Sequence, residues 1–377
     1  MKVALVHDEL THWGGGERLF LGIAEIFPTA PIYTSIYDLE ILKFAPELAN
    51  REIRTTFLQK LPFKKFIRRL LLPLYPIAFE TLDLSEFDLI ISSSARFAHG
   101  VITKPGQRHI AYINSPPRFI WESKNYLENE KFKLIIKILI FPILGYLRSW
   151  DKVAFSRPDV LIANSENVAA KIRQLHNKEA AVLYPFVDLE RHSPFAIRHS
   201  RENKTNSEKL MDNSYFLIVS RLIPWKKIDI AVRACQKLKK PLFVVGDGPH
   251  KRYLRKIVKD GIVFFSNVSD EKLKELYQNC KAVIITQEED FGLVALEAQA
   301  FGKAVIGYKA GGSLETIIEG KTGLFFDEQS EEVLAKAIEK FDKISFNAKD
   351  SIVNAKRFSK QNFQEKFLRN INGTKSL

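Results

Sequence analysis

The fold is decided by a stretch that reads VIITQEEDFGLVALEAQAFGKAVIG over residues 283–307. Its first apolar run predicts a buried strand, the Ala-rich segment after Gly292 predicts a helix, and the second apolar run predicts another strand. Units of this kind build parallel sheets that are covered by helices on both faces. An acidic turn closed by Phe291-Gly292 joins the first strand to the helix, and a Gly311-Gly312-Ser313 turn follows the second strand.

The same alternation extends outward in both directions along the 377 residues. Between its two blocks, residues 189–212 are polar and keep no hydrophobic period, which is typical of a linker. We therefore predict a Rossmann-like, doubly wound α/β domain at 1–188, a second at 213–357 and a helical segment at 358–377. Short apolar runs predict strands at 2–6, 31–35, 53–57, 88–93, 108–113, 159–163, 181–184, 215–220, 241–246, 262–265, 282–286, 304–307 and 323–326.

Two carboxylates, Glu289 and Glu297, flank the start of the predicted helix near Leu293. A helical rise of about 1.5 Å per residue keeps both within reach of one elongated ligand. Between them, the free N–H groups and dipole of the helix N-terminus favour a phosphate. A ligand with hydroxyls at one end, phosphates in the middle and a ribose at the other fits, and this describes a nucleotide sugar. The alternative is a salt-bridging pair on a helix surface.

The pattern resembles the Glu-x(7)-Glu signature of retaining glycosyltransferases of the GT-B type, in which two Rossmann-like domains face each other across a cleft. It is most similar to glycosyltransferase family 4. The resemblance implies that Glu289 binds the sugar hydroxyls of the donor and that Glu297 binds the nucleotide ribose. It also implies that amides near Phe291, Gly292 and Leu293 complete a cradle for the phosphates and the sugar.

A second motif reads SRLIPWKKID over residues 220–229 and follows the first strand of the second block. It is similar to the family motif Gly-Arg-Leu-x-x-x-Lys-Gly-x-Asp, with Lys227 in place of the usual glycine. The resemblance implies that Arg221 and Lys226 hold the diphosphate, and fixed cations stabilise the charge of a departing nucleoside diphosphate. A solvated basic turn is the alternative.

Two glycine-rich turns add candidates for donor binding. Gly14-Gly15-Gly16-Glu17-Arg18 opens a helix after the first strand, where glycines let the backbone approach a bulky anion. It resembles the Gly-Gly-x-Glu-Arg loop that lies against the diphosphate and sugar of the donor in family 4. A tight βα turn at 245–249 is also typical of the family, and the resemblance implies that it brings Gly248 near the nucleotide base.

A further stretch reads YINSPPRFIWE over residues 112–122. It is similar to mannosyltransferase-like members of the family, in which a histidine often stands at the position of Asn114 and touches the donor sugar. Asparagine can hydrogen-bond a sugar hydroxyl but cannot take up a proton. This departure leaves catalysis to electrostatics and orientation. His99 and Arg118 are additional candidates for the site, although a lone histidine is more often structural.

No metal or cofactor is expected, since Arg221 and Lys226 would carry the phosphate charge and the nucleotide sugar is a substrate. The chain has no Asp-x-Asp at a strand end. His7-Asp8-Glu9 and His12 look like metal ligands in isolation, but we expect them to line the cleft beside the glycine loop.

The net charge of +13 indicates an anionic partner. Nucleic acid is not favoured, because no DNA-binding or RNA-binding motif is present. Segment 51–76 holds seven basic residues and one acidic residue, and its apolar residues recur at helical spacing. We predict that 57–76 contacts anionic membrane, against the alternative of an ordinary helix with a solvated basic face. The apolar run at 134–147 is too short to span a membrane, and we predict a core or interfacial helix.

The sequence shows no leader peptide, and its two cysteines form no disulfide framework. We therefore expect a cytoplasmic protein, peripheral on the inner face of the plasma membrane.

The resemblance implies a bacterial hexosyltransferase that moves a hexose, with mannose favoured, from a nucleoside diphosphate sugar. Its acceptor would be a glycan or a polyprenyl-diphosphate-linked oligosaccharide of cell-surface polysaccharide biosynthesis. Two alternatives stay open, a non-hydrolysing nucleotide-sugar epimerase on the same fold and a catalytically silent binding subunit. The sequence leaves open the nucleotide, the linkage position and the oligomeric state.

Overall fold

A computed structural model of the chain describes residues 1–62, 71–123, 134–188 and 215–373. The chain divides into two compact units. The first unit comprises Met1–Pro185 together with Phe363–Leu377, and the second comprises Phe186–Asn362. The predicted linker at 189–212 lies outside the described residues.

The first unit is built on a parallel sheet whose described strands run in the order β3-β2-β1-β4-β5-β6-β7. The strands are β1 Val3–His7, β2 Ile32–Thr34, β3 Ile53–Thr55, β4 Leu89–Ser94, β5 Arg108–Ile113, β6 Val160–Ala163 and β7 Ala181–Val182. The α-helices are Gly15–Ala24, Tyr75–Glu80, Arg118–Trp121, Leu134–Ala154, Glu166–His176 and Lys360–Gly373. Short 3-10 helices span Leu39–Lys43, Pro46–Asn50, Phe57–Lys60, Leu72–Leu74 and Ala98–Gly100.

The second unit is built on another parallel sheet, with described strands in the order β10-β9-β8-β11-β12-β13. The strands are β8 Tyr215–Val219, β9 Leu242–Val245, β10 Ile262–Phe265, β11 Cys280–Ile285, β12 Ala304–Tyr308 and β13 Gly323–Phe326. Its α-helices are Ile228–Lys237, Lys251–Ile257, Asp270–Asn279, Leu293–Ala300, Ser313–Thr316, Glu331–Asp342 and Ala348–Lys356, and a 3-10 helix spans Pro224–Lys226.

Every predicted strand is present, with each end within two residues of the predicted one. Strand β8 shows why the apolar runs lack alternation. Phe216 and Ile218 belong to the hydrophobic core on one face of the sheet, whereas Tyr215 and Leu217 belong to the core on the other face. Because both faces are covered, every position of such a strand is apolar.

The strand orders also place the ligand edge of each sheet. The order reverses between β1 and β4 in the first unit and between β8 and β11 in the second. Counted from β8, the second sheet has the order 3-2-1-4-5-6 of dinucleotide-binding domains. In such sheets ligands bind beyond the carboxyl ends of the strands at the point of reversal.

The last helix, Lys360–Gly373, belongs to the first unit from Phe363 onward. Phe363 and Phe367, one turn apart, are both buried. Gln364 Nε2 donates to the carbonyl oxygen of Gly22 at 3.1 Å. The apolar side of this amphipathic helix thus joins the core beside the first sheet.

Helix Leu134–Ala154 continues seven residues beyond the predicted end at 147. Leu147 is buried on it, whereas Phe141 is 72% exposed. In the part of the chain that the structure describes, we find no helix with the length and apolar character to cross a bilayer. Residues 63–70 of the basic segment predicted to contact membrane lie outside the described residues.

Candidate functional site

The acidic loop of the second unit lies where β11 ends and helix Leu293–Ala300 begins. Gly292 precedes the helix with φ +98°, in the left-handed region that favours glycine. This turn directs the first amides of the helix toward the edge where the sheet order reverses. Phe291 anchors the loop, since its ring is 3% exposed and lies 5.6 Å from that of Phe358 between centroids.

The Gly311-Gly312 turn supports the acidic loop from the neighbouring strand end. The backbone N–H of Gly312 donates to the carbonyl oxygen of Glu289 at 2.8 Å, and Glu289 forms a parallel bridge with Gly311. A Cβ at position 312 would lie 2.3 Å from backbone atoms of Phe291. A glycine is therefore required at 312 by the close approach of two backbones.

Lys226 and Glu289 form the charged centre of this edge. Lys226 Nζ lies 2.8 Å from Glu289 Oε1, and the two side chains are 11% and 18% exposed. The carboxylate also accepts a short hydrogen bond from Gln287 Nε2. Thr286 Oγ1 donates to the backbone carbonyl of Lys226 at 2.6 Å, which ties the loop after β8 to the loop after β11. The structure thus brings together two predicted site residues that are 63 positions apart.

Arg221 lies on the same loop as Lys226, directly after β8, and its side chain is exposed. The glycine turn that follows β9 packs closely against the backbone of this loop. Gly246 has φ +146° and Gly248 has φ +154°, and a Cβ at either would lie within 2.3 Å of a backbone oxygen of the loop. The structure therefore gives Gly248 a role in packing, and contact with a nucleotide base stays a prediction.

Lys227 adopts φ 52° and ψ 33°, the left-handed conformation that the glycine of the family motif would adopt without strain. The turn keeps its shape despite the substitution, and helix Ile228–Lys237 starts at the next residue. Lys227 therefore holds a strained backbone conformation.

Glu297 lies one turn into helix Leu293–Ala300 and is 8% exposed. Its Oε2 accepts a hydrogen bond from the hydroxyl of Tyr277 at 2.8 Å. Tyr277 comes from the preceding helix, Asp270–Asn279, and belongs to none of the motifs recognised in the sequence. Its signal was weak, because a tyrosine at the end of an amphipathic helix is ordinarily a core residue.

In the first unit, the glycine loop at 14–16 follows β1 and starts helix Gly15–Ala24. Glu17 is buried, and His12 Nε2 and His7 Nε2 lie 3.2 Å and 3.8 Å from its Oε1. Burial would raise the pKa of Glu17, but the hydrogen bond with His7 and the charge of His12 outweigh it, so the pKa is lowered. Glu17 is thus held as a carboxylate beside the glycine loop.

Asn114 lies at the carboxyl end of β5, on the same edge of the first sheet. Its Nδ2 donates to Ser93 Oγ at 3.0 Å, and its carbonyl oxygen accepts from Asn164 Nδ2 at 2.8 Å. His7 Nδ1 lies 3.1 Å from the carbonyl oxygen of Ser93. The ends of β1, β4, β5 and β6 therefore share one polar network.

His99 is enclosed in the first unit, with 1% exposure. Its Nδ1 lies 3.0 Å from Ser94 Oγ, and its Nε2 lies 3.2 Å from Asp151 Oδ1. Asp151 also accepts from Trp121 Nε1 at 2.7 Å. These surroundings favour a structural role for His99. Arg118 opens the short helix Arg118–Trp121 and is half-buried.

Asp8 and Glu9, which look like metal ligands in the sequence, are engaged by the protein itself. The carboxylate of Asp8 accepts four backbone N–H groups, from residues 95–98, at 2.6–2.9 Å. Glu9 Oε1 lies 3.1 Å from Arg96. Across the described ranges, no cluster of three or more histidine, cysteine, aspartate or glutamate side chains could hold a metal ion.

Comparison with known proteins adds a family match and several relatives. Residues 200–358 match the family described as Glycosyl transferases group 1. The chain is 24% identical over 427 residues to the alpha-1,3/1,6-mannosyltransferase ALG2 of Dictyostelium discoideum, with 99% of this chain and 97% of that protein covered. It is 26% identical over 200 residues to the GDP-mannose-dependent alpha-(1-6)-phosphatidylinositol monomannoside mannosyltransferase of Mycolicibacterium smegmatis, covering 48% of this chain and 52% of that protein.

Among solved structures, Anabaena HepE in complex with UDP and glucose is similar over 100% of both chains, with a TM-score of 0.70 and 19% sequence identity. At this identity the likeness shows the fold. The predicted fold class, a GT-B architecture with two doubly wound parallel sheets, is confirmed by this likeness and by the two strand orders.

Proposed function

We propose that the chain moves a hexose from a nucleoside diphosphate sugar to a glycan acceptor, with retention of configuration at the anomeric carbon. The starting point is that the chain is a glycosyltransferase, with a group 1 glycosyl transferase domain at residues 200–358. This domain and the mannosyltransferase relatives favour glycosyl transfer over the epimerase and the silent subunit.

The observation that carries the proposal is the ion pair of Lys226 and Glu289 beside the start of helix Leu293–Ala300. The pair joins the carboxyl ends of β8 and β11, where the sheet order reverses and ligands of such sheets bind. An ammonium group has three donors, so Lys226 can keep Glu289 and still donate to a phosphate oxygen. Cation, carboxylate and helix amides thus occupy one small region, as a sugar diphosphate requires.

In the proposed reaction, the bond between the anomeric carbon and the β-phosphate oxygen breaks as the acceptor hydroxyl forms the new glycosidic bond on the same face. The leaving phosphate oxygen takes the proton of the acceptor. Lys226, Arg221 and the amides of residues 291–293 stabilise the negative charge that develops on the diphosphate. Glu289 orients the sugar through its hydroxyls, and Glu297 accepts hydrogen bonds from the ribose.

Mannose is the favoured sugar, because two relatives carry mannosyltransferase names and the stretch at 112–122 resembles mannosyltransferase-like sequences. The nucleotide is to be found by experiment. One relative is named GDP-mannose-dependent, whereas the HepE structure holds UDP. No divalent metal enters the proposal, since the two basic side chains supply the positive charge.

The acceptor is proposed to be a lipid-diphosphate-linked glycan at the inner face of the plasma membrane. Segment 57–76 would contact the anionic surface through its basic residues. Leu74 within the segment is 37% exposed, and Ile77 directly after it is 45% exposed. Co-sedimentation with anionic vesicles, but not with neutral ones, is the expected result. Equal binding to anionic and neutral vesicles would refute an electrostatic contact between segment 57–76 and the membrane.

The test of the function compares nucleotide release by the wild type and by Glu289→Gln, with GDP- and UDP-sugar donors and membrane-extracted acceptor. The variant keeps the shape of the side chain but removes its charge, and we expect a loss of at least about 100-fold in rate. Glu288→Gln removes a neighbouring exposed carboxylate and should retain activity. The wild type and the two variants are assayed with and without a chelator.

Equal inertness of the wild type and Glu289→Gln with every donor would refute the proposed function. Product of inverted anomeric configuration would refute retention. Loss of wild-type activity in the chelator would refute metal independence.

A further inference from the structure

We propose that Tyr277 is a positioning residue, which fixes the carboxylate of Glu297 so that it binds the ribose diol of the donor nucleotide. This inference rests on the ribose role of Glu297 in the proposed function. It adds a residue that does not touch the ligand and acts only through Glu297.

The first support is the hydrogen bond itself. The Tyr277 hydroxyl lies 2.8 Å from Glu297 Oε2, and the two residues are 0% and 8% exposed. A carboxylate so deeply buried is costly unless hydrogen bonds compensate for the lost water. A bond to a charged acceptor in such surroundings is also among the stronger hydrogen bonds of a protein.

The second support is that Tyr277 holds the helix of Glu297 at two points. Its ring stacks on Phe301 with centroids 5.5 Å apart and planes 11° apart. Phe301 directly follows helix Leu293–Ala300 and lies one turn after Glu297. The hydroxyl therefore fixes the carboxylate while the ring fixes the end of the helix that carries it.

The geometry suits a ligand that offers two hydroxyls. A carboxylate has about four acceptor sites, and the bond from Tyr277 uses one of them on Oε2. By fixing the plane of the group, this bond determines where the remaining sites point. A fixed acceptor loses less conformational freedom on binding, so the ribose diol is bound more tightly than by a mobile carboxylate.

The chain supplies a matched control in Tyr215. This tyrosine is also 0% exposed, and its hydroxyl donates at the same distance, 2.8 Å, to the backbone carbonyl of Leu276. Its ring is stacked as well, on Phe243 at 4.0 Å. Tyr215→Phe thus deletes an equivalent buried hydrogen bond next to Tyr277 without affecting a carboxylate.

The experiment measures dissociation constants of GDP, UDP and their 2′,3′-dideoxy forms by calorimetry, for the wild type, Tyr277→Phe and Tyr215→Phe. The wild type should prefer at least one ribonucleotide over its dideoxy form. Tyr277→Phe should reduce this preference about fivefold to tenfold, the effect expected of one typical hydrogen bond, because Tyr277 acts on the ribose only through Glu297. Dideoxynucleotide binding should stay unchanged, as should both affinities in Tyr215→Phe. In a Glu297→Gln background, Tyr277→Phe should have no further effect.

The results distinguish a failure of the positioning role of Tyr277 from a failure of the proposed ribose role of Glu297. If Tyr277→Phe weakens both forms of the nucleotide equally, or retains the full ribose preference, the positioning role is refuted and the function stands. If the wild type shows no ribose preference or binds neither nucleotide, the proposed role of Glu297 fails and this inference fails with it. Should Tyr277→Phe not fold, 3-fluorotyrosine at 277 keeps the ring and acidifies the hydroxyl. The ribose preference should then change, and an unchanged preference would refute the role.

Discussion

Replacing Gly312 with alanine should displace the acidic loop and remove most of the activity. The new Cβ would lie 2.3 Å from the Cα and the carbonyl oxygen of Phe291. Real Cβ atoms essentially never come closer than 3.0 Å, so the two backbones must separate by about 0.7 Å or more. The φ of Gly312 is −63°, a value open to any residue, so the effect is steric alone.

The magnitude follows from how firmly the loop is held. Phe291 is 3% exposed against Phe358 and cannot retreat without disturbing the core. Overpacking of this kind costs about 1–3 kcal/mol of unfolding free energy. The N–H of Gly312 also donates to the carbonyl oxygen of Glu289, so the shift reaches the carboxylate proposed to bind the sugar. A displacement near 1 Å lowers a rate by about 100-fold, and we expect this loss in kcat/KM.

The assay pairs kcat/KM for nucleotide release with unfolding free energies from denaturant titration. Gly145→Ala is the control, because its Cβ meets nothing within 4 Å and it lies inside helix Leu134–Ala154. This control should gain about 0.5–1 kcal/mol in stability and keep full activity. A fully active Gly312→Ala would show that contact with the Gly311-Gly312 turn does not position Glu289.

Two further predictions concern stability. Lys227→Gly should raise the unfolding free energy by about 0.5–1 kcal/mol. Glycine removes the strain of the left-handed backbone conformation, about 1–2 kcal/mol, but the greater conformational entropy of glycine in the unfolded chain offsets part of this gain. Lys227→Ala keeps the strain, so equal stabilisation by both in thermal melts would contradict this reasoning. Burial, together with the charges of His99 and Arg157, lowers the pKa of His109 to about 3, so below its unfolded pKa near 6.5 the unfolded chain binds the extra proton. Through this group, the unfolding free energy should therefore fall by about 1.4 kcal/mol per pH unit as the pH decreases from 6.5 toward 3. The unfolding free energy of His109→Gln should decrease less steeply between about pH 7 and pH 5. An unchanged slope in this variant would show that the buried imidazole does not cause the pH dependence.

The sequence was sufficient to predict the strands and the edge at which each motif lies. Apolar runs such as those at 215–219 and 282–285, which show no polar alternation, are typical of parallel strands that are covered on both faces, and they predicted the two sheets. The resemblance to glycosyltransferase family 4 implied that Lys226 and Glu289 serve one ligand, and the carboxyl ends of parallel strands do share one edge of a sheet. The structure places the two side chains 2.8 Å apart.

The partners of individual side chains were decided by the tertiary structure alone. Nothing in the sequence near Glu297 indicates that its carboxylate accepts from Tyr277, twenty residues earlier. Likewise, the sequence led us to expect Asp8 beside the glycine loop, and only the structure shows that its carboxylate accepts hydrogen bonds from the amides of residues 95–98.

The secondary structure could be predicted because hydrophobic periodicity and turn preferences depend on a few neighbouring residues, which can be read directly from the sequence. Hydrogen-bond partners and steric limits depend on distances of tenths of an ångström between segments that only the packed core brings together. The elements, their order and their ligand edges were therefore determined by the sequence. The contact of Gly312 with Phe291 and the bond of Tyr277 to Glu297 were decided by packing.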